Sequence, residues 1–446
     1  MNNDISFKQI NKLAIPALIS GVSEPILSLT DAAIVGHVPY NATASLAAVG
    51  IVTTFLSMLI WVFGQTRSAL SSIISQYLGA HKLEEIKSLP AQAIFIITSI
   101  SILIIAITYP FAKHIFKLYN ASGFVLSYSV SYYKIRVLGF PFTLFVMAIF
   151  GTFRGLQNTF YPMVIAIVGA LINIVLDYVF VYGITGYLTA MHIKGAAYAS
   201  VISQGVMALC AVCFFIKKTD FSLRVVFPLN KEMKRFVGMI INLFIRTIAL
   251  NVTLYFASAY ATSYGASYIA AYTIAINLWF LGAFIIDGYA SAGNILSGKY
   301  LGSKNYAALL KLSKRLTKYG IYIGVILCVL GTVLYSYIGP VFTKAPDVLN
   351  AFYTVFWLVL IMQPLCSLAF IFDGIFKGLG QMAYLRNVLL FATFAVFLPT
   401  LFIFDYFDIK LQGIFFALTF WITARGLPLI IKFKNTFNPL ALKTKS

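Results

Sequence analysis

Acidic residues are scarce in this chain: 13 Asp and Glu stand against 33 Lys and Arg in 446 residues, and only 10% of the chain is charged. With 60% of the residues hydrophobic, so little charge excludes water as the main solvent. Cysteine is equally sparse. Cys210, Cys213, Cys328 and Cys366 all fall inside apolar runs, so the Cys210/Cys213 pair, despite its CxxC spacing, reads as two small thiols on a membrane helix rather than as a metal or redox site. None of His37, His81, His114 and His192 is paired at helical metal spacing. These absences argue against a membrane-embedded enzyme, and no cofactor is expected. No repeated filter-like motif or ring of charges points to a channel.

What the chain does contain is long apolar runs. Counting those able to cross roughly 30 Å of hydrocarbon gives twelve spans, at 13–35, 46–74, 92–112, 127–153, 160–183, 195–217, 236–262, 270–297, 317–338, 350–376, 386–405 and 412–431. The expected class is therefore an all-α polytopic membrane protein. Met1 to Gln9 is short and polar and the first apolar run continues to full length, so it reads as the first helix rather than as a cleavable signal.

The net charge of +20 follows the topology. Alternate loops facing one side hold most of the basic residues, including Lys217, Lys218, Arg224, Lys231, Lys234 and Arg235, while the opposite loops hold only Lys113, Lys117, Lys194, Lys344 and Lys410. This is the positive-inside pattern and places both termini in the cytoplasm. Basic loops beside anionic membrane lipids account for the charge without a nucleic-acid partner.

Shifting the sequence by half its length, 223 residues, superposes matching motifs without gaps. Tyr77-Leu78-Gly79 falls on Tyr300-Leu301-Gly302, Ser68-Ala69 on Ser291-Ala292, and Pro141 on Pro364. Gly151, Phe153, Gly155 and Leu156 fall on Gly374, Phe376, Gly378 and Leu379, with Arg154 opposite Lys377. The chain thus reads as a duplication, with lobes at 1–222 and 223–446. Six spans per lobe return each to the side it started from, so the two six-helix bundles are expected to be related by a pseudo-two-fold axis along the membrane normal, the parallel-repeat plan of alternating-access transporters.

Four acids lie well inside spans: Asp31, Asp177, Asp287 and Asp373. A carboxylate there costs about 2.5 to 3.5 kcal/mol, so each should face a bundle interior, a partner or water. Asn173 and Asp177 stand four residues apart and project from one helix face. A carboxylate and an amide at that spacing can share a proton or offer oxygen ligands to Na+. The equivalents of Asp31, Asn173 and Asp177 in the second half are Leu254, Val396 and Thr400, so this polar constellation belongs to the first lobe.

Asp287 and Asp373 each precede a glycine, whose small size permits close helix approach. They either line a substrate path or pair with intramembrane bases such as Arg67, Arg246 and Arg425. Glu24, Lys134 and Arg136 are expected nearer an interface, where long side chains snorkel, and His37 reads as an interfacial histidine. Pro16 and Pro25 interrupt the first helix before Asp31 and make it a candidate hinge.

Several of these runs resemble one transporter family. Ile15-Pro16-Ala17 through Ser28-Leu29-Thr30-Asp31-Ala32-Ala33-Ile34-Val35-Gly36-His37, Ala47-Ala48-Val49-Gly50, Gln76-Tyr77-Leu78-Gly79-Ala80, and Phe153-Arg154-Gly155-Leu156-Gln157-Asn158-Thr159 leading to Asn173 and Asp177 are similar to the MATE family. Phe372-Asp373-Gly374 with Gly378, and Asp287-Gly288-Tyr289-Ala290, resemble its DinF-type branch.

The resemblance implies the MATE/MOP-type fold and a monomeric exporter of small organic, often cationic or amphipathic, compounds in a bacterial inner membrane, driven by inward H+ or Na+. It also implies a coupling site of Asp31, Asn173 and Asp177 that takes H+ or Na+, with Pro16 as the bending point. Asp287, Asp373 and Asn294 become candidates for a substrate cavity. Asn294 departs from the acid expected in the DinF-type eighth helix, which shifts weight to the first lobe. The alternative reading is a flippase for lipid-linked oligosaccharides within the same superfamily.

Overall fold

In the computed structural model, which describes residues 6–38, 41–184 and 186–443, the chain is almost entirely helical. The side chains of residues 23–25, 28, 29 and 443 lie outside the described set, and with them the expectations for Glu24 and Pro25.

All twelve expected spans fall on helices. These are α1 (Phe7–Val35), α2 (Ala42–Gly79), α3 (Leu83–Thr108), α4 (Gly123–Gly155), α5 (Phe160–Tyr182), α6 (His192–Lys218), α7 (Met233–Ser263), α8 (Ala266–Gly302), α9 (Tyr306–Val333), α10 (Pro346–Gly378), α11 (Met382–Tyr406) and α12 (Lys410–Leu442). Among the described residues, the eleven from α2 onward are long and apolar enough to cross a membrane. The chain is a multi-pass membrane protein.

Three of these helices are locally irregular. α2 turns at Gly64-Gln65, α4 tightens to a 3-10 turn at Val137–Gly139 ahead of Pro141, and α11 widens to a π-helix over Ala392–Phe397 before Pro399. α1, in contrast, is helical without interruption through Pro16. Pro16 therefore lies inside a helix whose backbone accommodates its ring.

The chain forms two compact units. The first comprises Ile19–Ile74 and Lys82–Val237, and holds the body of α1 through α6. The second comprises Met1–Leu18, Ser75–His81 and Gly238–Ser446.

Within each unit one glycine-lined seam recurs at the offset of 223. In the first, a Cβ on Gly151 would lie 2.7 Å from the Arg67 carbonyl oxygen, bringing α4 against α2. In the second, a Cβ on Gly374 would lie 2.1 Å from the Ala290 carbonyl oxygen, bringing α10 against α8. Arg67 and Ala290 are themselves 223 residues apart, so the duplicated sequence builds a duplicated helix contact. Only glycine permits backbones to approach so closely.

Candidate cation-coupling site

In the first unit, α1, α4, α5 and α6 each bring one side of a buried polar site. Asp31 on α1 is 2% exposed, Asn173 and Asp177 on α5 are 1% and 0%, and Ser200 on α6 is 3%. The α5–α6 connection fixes the pairing of those two helices. Gly183 turns with φ +78°, and Met191 N–H donates back to the Phe180 carbonyl at 2.9 Å. A Cβ on Gly195 would lie 2.5 Å from that same Phe180 oxygen, so α6 packs tightly on the end of α5.

Asp31 Oδ2 accepts from Ser200 Oγ at 3.0 Å and from the Tyr132 hydroxyl at 3.4 Å. Asn173 Nδ2 donates to Ser200 Oγ at 3.4 Å. A chain of hydrogen bonds therefore links α5, α6 and α1. Asp31 and Asp177 lie within electrostatic reach of each other, with Arg136 beside them. Asp31 Oδ1, both carboxylate oxygens of Asp177 and Asn173 Oδ1 are buried and accept no hydrogen bond. Four unpartnered oxygens, three of them from two carboxylates, fit a proton or a small hard cation, which oxygen ligands suit.

Asp31, Asn173 and Asp177, the three residues conspicuous in the sequence, thus lie in one site. Ser200 and Tyr132 join them without a sequence signal, because a serine or tyrosine within an apolar helix carries none of its own. Arg136 was expected to snorkel but is 8% exposed and adjoins Tyr132, a correction that follows from its position on the inner face of α4. Lys134, half-buried, instead lies 5.2 Å from the centre of the Tyr109 ring. His37 is exposed, with a ring nitrogen 2.7 Å from the Ala33 carbonyl oxygen of its own helix.

In the second unit Asp287, Asp373 and Asn294 stand in different surroundings. Asp287 is exposed and makes no ion pair among the described residues. Its neighbours serve packing: a Cβ on Gly288 would meet Ala14 and Leu18 of α1, and the Tyr289 hydroxyl donates to Asn11 Oδ1 at 3.0 Å. Asn294 is buried in the α8–α10 seam, its carbonyl oxygen 2.1 Å from where a Gly378 Cβ would lie. Asp373 is buried and ion-paired. Arg246 on α7 and Arg425 on α12 both reach its Oδ1, the latter at 3.5 Å, and Lys377 reaches Oδ2 at 3.0 Å.

A cavity of about 630 Å³ in the second unit is lined by Lys314, Lys318, Phe372, Phe433 and Lys434 among others, and by none of the three candidates. Among the described residues no three His, Cys, Asp or Glu side chains form a metal-binding group.

The sequence profile of the MatE family matches residues 16–179 and 239–403, one copy in each half. The chain belongs to the MatE family. DNA damage-inducible protein F of Escherichia coli is 24% identical over 436 residues, covering 95% of this chain and 91% of that one. A probable multidrug resistance protein NorM of Photorhabdus laumondii is 26% identical over 437 residues, covering 94% and 89%. Protein DETOXIFICATION 43 of Arabidopsis thaliana is 30% identical over 263 residues, 58% of this chain.

The chain spans about half the length of the plant relatives it matches, 48% of DETOXIFICATION 43 and 56% of DETOXIFICATION 42. Among solved structures, a MATE protein in the bent conformation superposes with a TM-score of 0.90 at 20% identity, covering 98% of this chain and 97% of that one. An outward-facing multidrug resistance MATE transporter superposes at 0.84 and 19% identity, covering 97% and 96%. The fold is thus that of MATE transporters. The relatives named here carry multidrug-resistance, detoxification or DNA-damage names, none of them that of an enzyme or a flippase.

Proposed function

We propose that this MatE-family protein is a cation-coupled antiporter that exports small organic, often cationic or amphipathic, compounds by alternating access of its two lobes, 1–222 and 223–446. The observation that carries the reading is the set of buried, donorless oxygens on Asp31, Asn173 and Asp177. Two carboxylates within reach of one another in a low-dielectric interior repel, and a proton or Na+ between them relieves that cost.

In this reading Ser200 and Tyr132 orient Asp31 by holding its Oδ2, which leaves Oδ1 and Asp177 to receive the ion. The bound cation neutralises the site, and its release toward the cytoplasm restores the repulsion. Loaded and empty forms therefore favour different arrangements of α1, α5 and α6, which is the differential affinity that exchange requires. Pro16 supports α1 as the moving part, because proline removes one hydrogen bond from the helix it sits in. The protein would sit in a bacterial inner membrane with both termini cytoplasmic, working as a monomer among membrane lipids.

The experiment is efflux of a fluorescent cationic dye from membrane vesicles under imposed pH or Na+ gradients, comparing wild type with Asp31→Asn and Asp177→Asn. Gradient-driven transport that either substitution abolishes, in protein still folded in the membrane, supports the antiporter, and the effective gradient names the ion. Normal transport by both variants would remove the site from the mechanism.

A further inference from the structure

Arg246, Lys377 and Arg425 set three positive charges against the single carboxylate of Asp373. Even with Lys377 discounted as partly exposed, two guanidinium groups with side chains 8% and 6% exposed share one carboxylate oxygen. At the offset of 223 the first half has Ser23, Phe150 and Ile202 opposite Arg246, Asp373 and Arg425, while Arg154 stands opposite Lys377. The two arginines and the aspartate are thus charges of the second half alone.

Both arginines spend Nη2 on Asp373, and Nε of each is buried with no acceptor. The Nε–Nη2 edge of a guanidinium is one that grips an oxyanion with two parallel hydrogen bonds. Here each arginine uses half of it. Arg425 gains some compensation from the faces of Phe370 and Trp421, at 4.9 and 5.5 Å, but ring faces accept no N–H at Nε and do not balance a full charge. A buried cationic excess with two Nε–H donors unspent calls for a second anion beside Asp373.

We propose that the second unit holds an oxyanion site, in which Arg246 and Arg425, supported by Lys377, bind the carboxylate or phosphate group of a ligand through their free Nε–H edges. The ligand class is a small carboxylate or phosphate anion, or a lipid headgroup carrying the same oxygens. Such a site gives the transporter a handle for anionic or zwitterionic solutes. It is independent of ion coupling at Asp31 and Asp177, because binding there needs no gradient.

The test uses the full-length protein purified in uncharged detergent, with thermal unfolding followed as succinate, inorganic phosphate or chloride is titrated at constant ionic strength. Succinate or phosphate should stabilise wild type beyond chloride. The Arg246→Gln/Arg425→Gln double variant should lose that response, its apparent affinity falling by more than about tenfold. Asp373→Asn should bind the anions more tightly, since it removes the competing carboxylate and keeps both arginines; this variant decides the matter if the double variant does not fold.

In nanodiscs, a succinate response suppressed by phosphatidylglycerol and kept in phosphatidylcholine identifies a lipid headgroup as the occupant. An equal response in both identifies a free solute. A wild-type protein indifferent to anion identity, a response that survives the double variant, or weaker binding by Asp373→Asn would each overturn the proposal.

Discussion

Ser200 donates the shorter of the two hydrogen bonds that hold Asp31 Oδ2, 3.0 Å against 3.4 Å from Tyr132. A hydrogen bond to a charged group contributes about 1.5 to 3 kcal/mol, so Ser200→Ala should slow gradient-driven efflux by roughly tenfold or more. Tyr132→Phe should cost less, and initial rates in vesicles would order the two. Asp287, exposed and without an ion pair among the described residues, should behave otherwise: Asp287→Asn is expected to change stability by no more than about 0.5 kcal/mol in a thermal unfolding series. The acids of the candidate site were legible in the sequence because a charge within an apolar run is costly and so conspicuous. Ser200 and Tyr132 were not, since their role depends on which residue of another helix they face.

At the scale of helices, the seams at Gly151 and Gly374 leave no room for a side chain. Gly374→Val should force α10 away from Ala290 and destabilise the second unit by about 1 to 3 kcal/mol or more, read as lower thermal stability in detergent. Gly50→Ala on α2, where a Cβ meets nothing within 4 Å, is the matched control and should be neutral or slightly stabilising.

α1 poses a different case. Pro16→Ala restores a backbone hydrogen bond, so the protein should fold at least as well while dye efflux falls, if α1 must bend there. Retained efflux would make Pro16 a static feature. The membrane helices were readable from hydropathy because each helix must satisfy its own backbone in lipid. The turn in α2 and the π-helix in α11 were not, because local breaks answer to neighbours that composition does not reveal. Gly288 makes the close helix approach its small size permits, and with Tyr289 it holds α8 against the start of α1, a partner the sequence does not name.

For the whole molecule, the distribution of Lys and Arg predicts the orientation. A fluorescent protein fused after Ser446 should fold and fluoresce in a bacterial host, while alkaline phosphatase fused after Lys344 should be active. Reversed signals would invert the topology. The duplication, the all-helical polytopic plan and the restriction of the Asp31, Asn173 and Asp177 set to the first half all followed from the sequence alone. They depend on hydropathy, on charge and on a constant offset, which are properties of residues in order.

Tertiary structure alone decided which charges compensate one another. It joined Asp31 to Ser200 across 169 residues of chain and Arg246 to Asp373 across 127, and it left Asp287 exposed. A buried charge is stabilised or left unpaired by atoms within a few ångströms, and those neighbours come from helices whose relative placement no single helix encodes.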